Sequence, residues 1–143
     1  MLIGEYQHLI DEKGRVTVPA RLREGLGEKF IMARGLENCL FLFPMDEWAR
    51  IQEKLKSLSL TRSDARAFTR FLFSGAQEAQ VDRQGRVLIS PNLREYAALD
   101  KEVVLVGVST RAEIWAKEQW ERYKERAGAS FAEVAEKLAD IEL

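Results

Sequence analysis

A chain of 143 residues, 46% hydrophobic and 31% charged, has the make-up of one compact globular body or of two small units sharing a core. Its 22 basic and 23 acidic side chains leave a net charge of -1, so bulk charge alone marks no polyanionic partner. The lone Cys39 excludes an intrachain disulfide and a cysteine-based metal site, the N-terminus lacks the basic-then-apolar pattern of a secretion signal, and no apolar run approaches the length of a membrane span. A reducing, cytoplasmic setting fits this.

The first predicted strand runs around Gly4 to Ile10 and ends in a polar turn, Asp11-Glu12-Lys13-Gly14, where Gly14 is free to take a positive φ. Arg15 to Val18 alternates polar and β-branched residues, the pattern of a half-buried strand. Pro19 opens a short helix through Leu26, and Gly27 stops it. Phe30 to Ala33 and Cys39 to Phe43 are apolar runs around Arg34 to Asn38 and predict a β-hairpin. Pro44 suits the first position of a second helix, with Asp46 and Glu47 near its positive end. Trp48, Ile51, Leu55 and Leu58 recur at helical spacing as its buried stripe. Thr61 to Phe73, with neither Pro nor a Gly/Ser run, predicts an ordered linking helix. Arg62, Arg66 and Arg70 share one face of it, and Phe68, Phe71 and Leu72 another.

From there the chain repeats itself. Ile10-Asp11-Glu12-Lys13-Gly14-Arg15-Val16-Thr17-Val18 recurs as Val81-Asp82-Arg83-Gln84-Gly85-Arg86-Val87-Leu88-Ile89, and Leu22-Arg23-Glu24 as Leu93-Arg94-Glu95. Trp48 and Arg50 find counterparts in Trp120 and Arg122. Pro91 opens a short helix bearing Leu93 and Tyr96; Glu102 to Val108 and Glu113 to Trp115 form the later hairpin; Lys117 to Ala127 is the helix matching the one after Pro44. Ser130-x-x-Glu133 has the capping-box pattern and starts a final helix bearing Phe131, Val134, Ala135 and Leu138. That helix has no counterpart in the first unit, and it either pads the core or docks on a neighbouring subunit. The expected boundaries are 1–60 for the first repeat with its helix, 61–76 for the linking helix, 77–127 for the second repeat with its helix, and 128–143 for the C-terminal helix. Neither copy is long enough to bury a good core alone, so the two are expected to pack together.

The recurring Asp-x-x-Gly-Arg turn is the candidate site. An Asp at a strand end can accept N–H bonds within its own turn and pair with the Arg four residues on. Gly14 and Gly85 let the chain reverse. A turn held in this way would aim Lys13, or Arg83 and Gln84, outward. A rigid, basic, two-stranded tip has the right width for the DNA major groove, where lysine meets phosphate and arginine or glutamine can also read base edges. The same residues would equally serve as a surface turn clamp needed only for folding. Charge distribution leaves a similar choice. Lys13, Arg15, Arg21 and Arg23 lie in a stretch without an acid, whereas Glu118, Glu121, Glu125, Glu133, Glu136, Asp140 and Glu142 crowd the C-terminal part. That is a basic face and an acidic face, or a solvated mixture.

The chain resembles the MraZ family, bacterial proteins built from two tandem repeats of the AbrB-like, swapped-hairpin type. The resemblance is carried by Gly4-Glu5-Tyr6-Gln7-His8, by Asp11-x-x-Gly-Arg15 with Pro19-Ala20, by Phe68 to Gly75, and by Asp82-x-x-Gly-Arg86 with Pro91, and it spans almost the whole chain. It implies an α+β fold whose β-rich repeats interleave into a barrel-like pseudo-dimer flanked by helices. It implies subunits assembled into a ring-shaped homo-oligomer, with Asp-x-x-x-Arg loops forming the DNA-binding surface. It further implies a transcriptional regulator, typically a repressor, of the division and cell-wall gene cluster, bound to short repeats in double-stranded promoter DNA, in the cytoplasm at the nucleoid. Carried over, the functional positions are Asp11, Arg15, Asp82 and Arg86. Arg15 and Arg86 are then the first candidates for DNA contact, followed by Lys13 and Arg83, with Gln84 beside them. Asp11 and Asp82 orient the arginines and, with Gly14 and Gly85, close the turns. A ring also accommodates the modest net charge, because several small patches engage repeated sites at high effective concentration. No cofactor, metal, membrane or small-molecule substrate is called for.

Two other readings use the same residues. Asp11 and Asp82 could meet across a pseudo-twofold axis as paired catalytic carboxylates, but each has an Arg at neutralising distance in sequence. His8 is the only histidine, and neither a Gly-x-Ser-x-Gly elbow nor a Walker loop is present, so no enzymatic activity is expected. An antitoxin-like DNA-binding and protein-interaction module is the alternative, although the C-terminus reads as folded rather than as a disordered partner-binding tail. Trp48, Trp115 and Trp120 sit among apolar neighbours and read as core or subunit packing rather than base stacking. The Arg62, Arg66 and Arg70 stripe is open to three uses: phosphate contact, pairing with a neighbour's acidic helices, or plain solvation.

Overall fold

Strands and helices alternate in the same order twice over. The computed structural model describes residues 1–138. Strand β1 (Leu2–Leu9), β2 (Arg15–Thr17), helix α1 (Ala20–Leu26), β3 (Lys29–Arg34), β4 (Leu40–Pro44) and α2 (Met45–Leu55) are followed by the linking helix α3 (Ser63–Ser74). Then come β5 (Gln77–Gln80), β6 (Arg86–Leu88), α4 (Pro91–Tyr96), β7 (Glu102–Ser109), β8 (Arg111–Ala116), α5 (Lys117–Ala129) and α6 (Phe131–Lys137). The fold is α+β with antiparallel strand pairing. Asp140 and Glu142, and the end of the 128–143 segment, lie outside the described residues.

Strand pairing crosses between the halves. The six-stranded sheet has the order β1-β7-β8-β4-β3-β5, and β2 pairs with β6 in a separate two-stranded ribbon. The first strand of each half therefore pairs with the other half: Leu2 lies opposite Ser109 on β7, and Lys29 on β3 lies opposite Gln80. At the centre, Leu40 faces Ile114 and Leu42 faces Ala112. The large sheet is open, with β1 and β5 at its edges, so these pairings do not close a barrel.

Period-two alternation explains why the sheet is covered on both sides. Phe30, Met32, Leu40, Leu42, Val103, Leu105 and Ile114 face the main core. There they meet Val16, Val18, Val87 and Ile89 from the ribbon and Leu22 and Leu93 from the short helices. This core draws on both halves, and each fully buried Leu or Val contributes about 1.5–3 kcal/mol. Their strand neighbours face the opposite side. Ile31, Ala33 and Phe43 pack with Trp48 of α2, while Val104, Val106 and Trp115 pack with Trp120 and Tyr123 of α5. The tryptophans are packing residues, as their sequence surroundings suggest.

Several local expectations need correction. Helix α2 ends at Leu55, so Leu58 falls beyond it and is exposed. On α3 the packed residues are Leu72 and Phe73, whereas Phe68 and Phe71 are exposed. The Arg34 guanidinium instead lies 4.1 Å from the Phe71 ring centroid and donates to the Phe71 carbonyl at 2.8 Å. Arg62 stands just outside the helix and pairs with Asp64, and Arg66 donates to the Leu60 carbonyl. The capping box at Ser130 does not form: its hydroxyl donates to the Arg126 carbonyl at 3.0 Å, because α5 runs straight up to it. Phe131 and Val134 on α6, and Leu138 just after it, are exposed rather than packed into the core. The hollow they line with Tyr123 and Ala127, about 570 Å³, lies between α5 and α6.

Candidate nucleic-acid interface

The ribbon sorts its residues by face. Val16 and Val87, directly opposite one another, are buried, as are Val18 and Ile89. Arg15, Thr17, Arg86 and Leu88 therefore point outward. Val18 N–H donates to the Gly85 carbonyl at 2.8 Å, and Ile89 N–H to the Gly14 carbonyl at 2.9 Å. Each turn is thus tied to the strand of the other repeat.

Each turn is organised by its aspartate. Asp11 Oδ1 accepts from the backbone N–H groups of Lys13 and Arg15, both at 2.9 Å, and Oδ2 accepts from Arg15 Nε at 2.8 Å. Asp82 repeats this with Gln84 and Arg86 N–H at 2.9 Å and Arg86 Nε at 3.0 Å. The backbone closes the turns, with Gly14 N–H donating to the Asp11 carbonyl and Gly85 N–H to that of Asp82, both at 3.0 Å. Both glycines have positive φ, 87° and 79°, which a side chain would strain. Backbone N–H donation by Arg15, then its guanidinium, holds the Asp11 carboxyl below its ordinary range despite some desolvation. Asp82 is lowered likewise, first by the Arg86 N–H. These shifts run opposite to the raised carboxyl of a proton-sharing pair.

The two clamps approach each other, with Arg86 Nη1 4.0 Å from Asp11 Oδ2. Arg15 and Arg86 are half-buried, with 29% and 28% of their side chains exposed, and each uses Nε for its aspartate. Lys13, Arg83 and Gln84 are exposed at the tips. The structure thus places half-buried, clamped Arg15 and Arg86 on the outward face of the ribbon and exposed Lys13, Arg83 and Gln84 in the turns beside them. Glu12 is exposed beside Lys13, so the first tip carries both charges.

Two further arginines reach these turns. Arg94 of α4 packs its guanidinium on Gly14, and Arg23 of α1 packs on Gly85. The recurrence of Leu-Arg-Glu in both repeats was the available signal, but nothing in the linear pattern says that each arginine reaches the other repeat's turn. Among the described residues no group of three or more His, Cys, Asp or Glu is placed to hold a metal ion, and no helix is long and apolar enough to cross a membrane.

The fold and this surface define a class: a tandem-repeat α+β protein whose halves pair strands with each other and present twin arginine turns on one ribbon. A family model described as "MraZ protein, putative antitoxin-like" matches residues 1–71 and again 72–141. The chain belongs to the MraZ family. It is 62% identical over 141 residues to the transcriptional regulator MraZ of Desulforamulus reducens, covering 99% of both chains. It is 59% identical over 143 residues to the protein of that name from Pelotomaculum thermopropionicum, covering 100% of this chain and 99% of the relative. With that of Heliobacterium modesticaldum it shares 58% over 143 residues and the full length of both.

Proposed function

We propose that this chain is a sequence-specific transcription regulator, acting as a repressor of the division and cell-wall gene cluster. It binds repeated boxes in double-stranded promoter DNA as a ring-shaped homo-oligomer in the cytoplasm, at the nucleoid. The observation that carries the reading is the pair of Asp-clamped turns flanking one short ribbon, with Arg15 and Arg86 on its outward face and Lys13, Arg83 and Gln84 at its tips. A two-stranded ribbon fits the major groove. A clamped arginine arrives at DNA with its rotamer already chosen, so little side-chain entropy is lost on binding. Asp11 and Asp82 stay off phosphate and hold the arginines. The cross-paired strands are read as AbrB-like swapped hairpins in a barrel-like pseudo-dimer, divided at 1–60, 61–76, 77–127 and 128–143. Repression is steric: a ring seated on promoter repeats blocks polymerase access. Multiple weak patches supply the affinity.

The test is a titration of wild type and the Arg15→Ala/Arg86→Ala double variant against the duplex upstream of the chain's own gene and a scrambled duplex, at two salt concentrations. Wild type is expected to prefer the promoter and to weaken steeply with salt. The double variant, folded and assembled as wild type, is expected to lose at least about tenfold in affinity. Absence of binding by folded, assembled wild type overturns the proposal. It would favour the second reading, an antitoxin-like protein-interaction module, for which the exposed apolar face of Phe131, Val134 and Leu138 is the supporting observation.

A further inference from the structure

Arg94 belongs to the second repeat, yet its guanidinium covers the turn of the first. A Cβ placed on Gly14 would lie 2.7 Å from Arg94 Cζ and 3.2 Å from its Nε, so the planar group rests against the Gly14 backbone. Arg23, its counterpart in the first repeat, does the same to the opposite turn: a Cβ on Gly85 would lie 2.8 Å from Arg23 Nη1 and 3.2 Å from Cζ. The residue covered is the same hinge in both cases. Its N–H closes the turn on the aspartate carbonyl, and its carbonyl accepts the N–H of Ile89 or Val18 across the ribbon. Neither Arg23 nor Arg94 forms an ion pair among the described residues. Among the described residues Arg94 Nε is buried and has no hydrogen-bond partner. The flat guanidinium face fits over a glycine peptide, whereas an ammonium group would not.

We propose that Arg94 and Arg23 are crossed positioning residues, each holding the other repeat's turn in its DNA-binding shape. The brace is unequal. Arg94 is half-buried and closer to its glycine, while Arg23 is exposed and farther away. The Lys13 tip is therefore the stiffer and the Arg83–Gln84 tip the more adaptable. The affinity part of this proposal rests on the DNA-binding reading above; the stiffness part does not.

The experiment combines amide exchange with a double-mutant cycle on the full-length protein. Arg94→Ala is expected to speed exchange at Gly14 and Arg15 and to leave Gly85 and Arg86 unchanged. Arg23→Ala, on an exposed helix face where truncation leaves the core intact, should do the reverse. Arg94→Lys keeps the charge and the stem but not the plane, and should resemble Arg94→Ala at Gly14. Against the promoter duplex, Arg94→Ala is expected to weaken binding roughly fivefold. That loss should persist in an Arg83→Ala background and shrink in a Lys13→Ala background, because Arg94 acts through the Lys13 tip. Equal losses in both backgrounds, or exchange rates that rise at both turns alike, overturn the proposal. If wild type binds no DNA, the DNA-binding reading fails, and the exchange pattern alone decides the brace.

Discussion

In the turn from Asp11 to Arg15, the aspartate accepts two backbone N–H groups at 2.9 Å and Arg15 Nε at 2.8 Å; from Asp82 to Arg86 the corresponding distances are 2.9 Å and 3.0 Å. The clamps match in their hydrogen bonds, yet their surroundings differ. The first tip exposes Glu12 and Lys13 and is backed by half-buried Arg94. The second exposes Arg83 and Gln84, is backed by exposed Arg23, and leads into a strand whose following residues are stitched to β5. There Gln77 Oε1 accepts the Ser90 N–H at 3.3 Å and its amide donates to the Leu88 carbonyl at 3.2 Å. The clamp is a local device of five residues, so duplication preserves it. The outward groups are free of that constraint, and on the DNA-binding reading proposed above the two tips would contribute differently. Arg83 and Gln84 can make paired hydrogen bonds with base edges, whereas Lys13 offers a point charge for phosphate.

The largest effect that tests the equivalence of the halves lies beneath the turns. Leu22 and Leu93 occupy matching places on α1 and α4 and are almost completely buried, at 0% and 1% exposure. Truncating either to Ala is expected to cost about 2–5 kcal/mol in urea-induced unfolding, by similar amounts and with one cooperative transition. A large mismatch, or two separate transitions, would show that the halves are not energetically one body. Next in size is a comparison of Arg83→Ala with Lys13→Ala in promoter titrations. Arg83→Ala should cost about 1–3 kcal/mol of binding and relax sequence preference, while Lys13→Ala weakens all duplexes alike and lowers the salt slope by about 1. Swapped behaviour would reverse the division of labour between the tips. The smallest effect is on acid sensitivity. Because both carboxyls are lowered in the folded protein, the clamp's contribution is fully present above the ordinary value of 3.8 and is lost as pH falls through the lower folded values. Proton exchange rates at Arg15 and Arg86 are expected to rise together below about pH 3.8; loosening of one turn alone, or loosening near neutrality, would contradict the shared clamp.

Much of the secondary structure was legible because it follows from short-range chemistry. Gly27 stops α1 with a positive φ, its N–H donating to the Arg23 carbonyl, as a glycine after a helix does. The two apolar runs, Phe30 to Ala33 and Cys39 to Phe43, around Arg34 to Asn38 announced a hairpin, and β3 and β4 pair there with Phe30 opposite Pro44. Helical spacing misled where the element ended early or its face was not needed. Leu58 continues the stripe of Trp48, Ile51 and Leu55 on paper, but the helix is over by then. Phe68, Phe71 and Leu72 formed an apolar face of the linking helix on paper, yet the residues that pack on Ile31, Ala33 and Trp48 are Leu72 and Phe73, with Phe68 and Phe71 exposed. Ser130 and Glu133 had capping-box spacing, but a cap requires the chain to leave the preceding helix first, and here it does not.

By itself the sequence determined the duplication, the two turns, the residues that could clamp them, and the need for the halves to share a core. Each of these depends on residues within a few positions of one another, or on the burial that a short repeat cannot achieve alone. Tertiary structure decided which strand pairs with which, so that β1 lies on β7 and β5 on β3, and it decided that Arg94 rests on Gly14 and Arg23 on Gly85. Those contacts join residues far apart in the chain. Their selection depends on the total apolar area that the intertwined arrangement removes from water, a quantity that exists only once both halves are folded together.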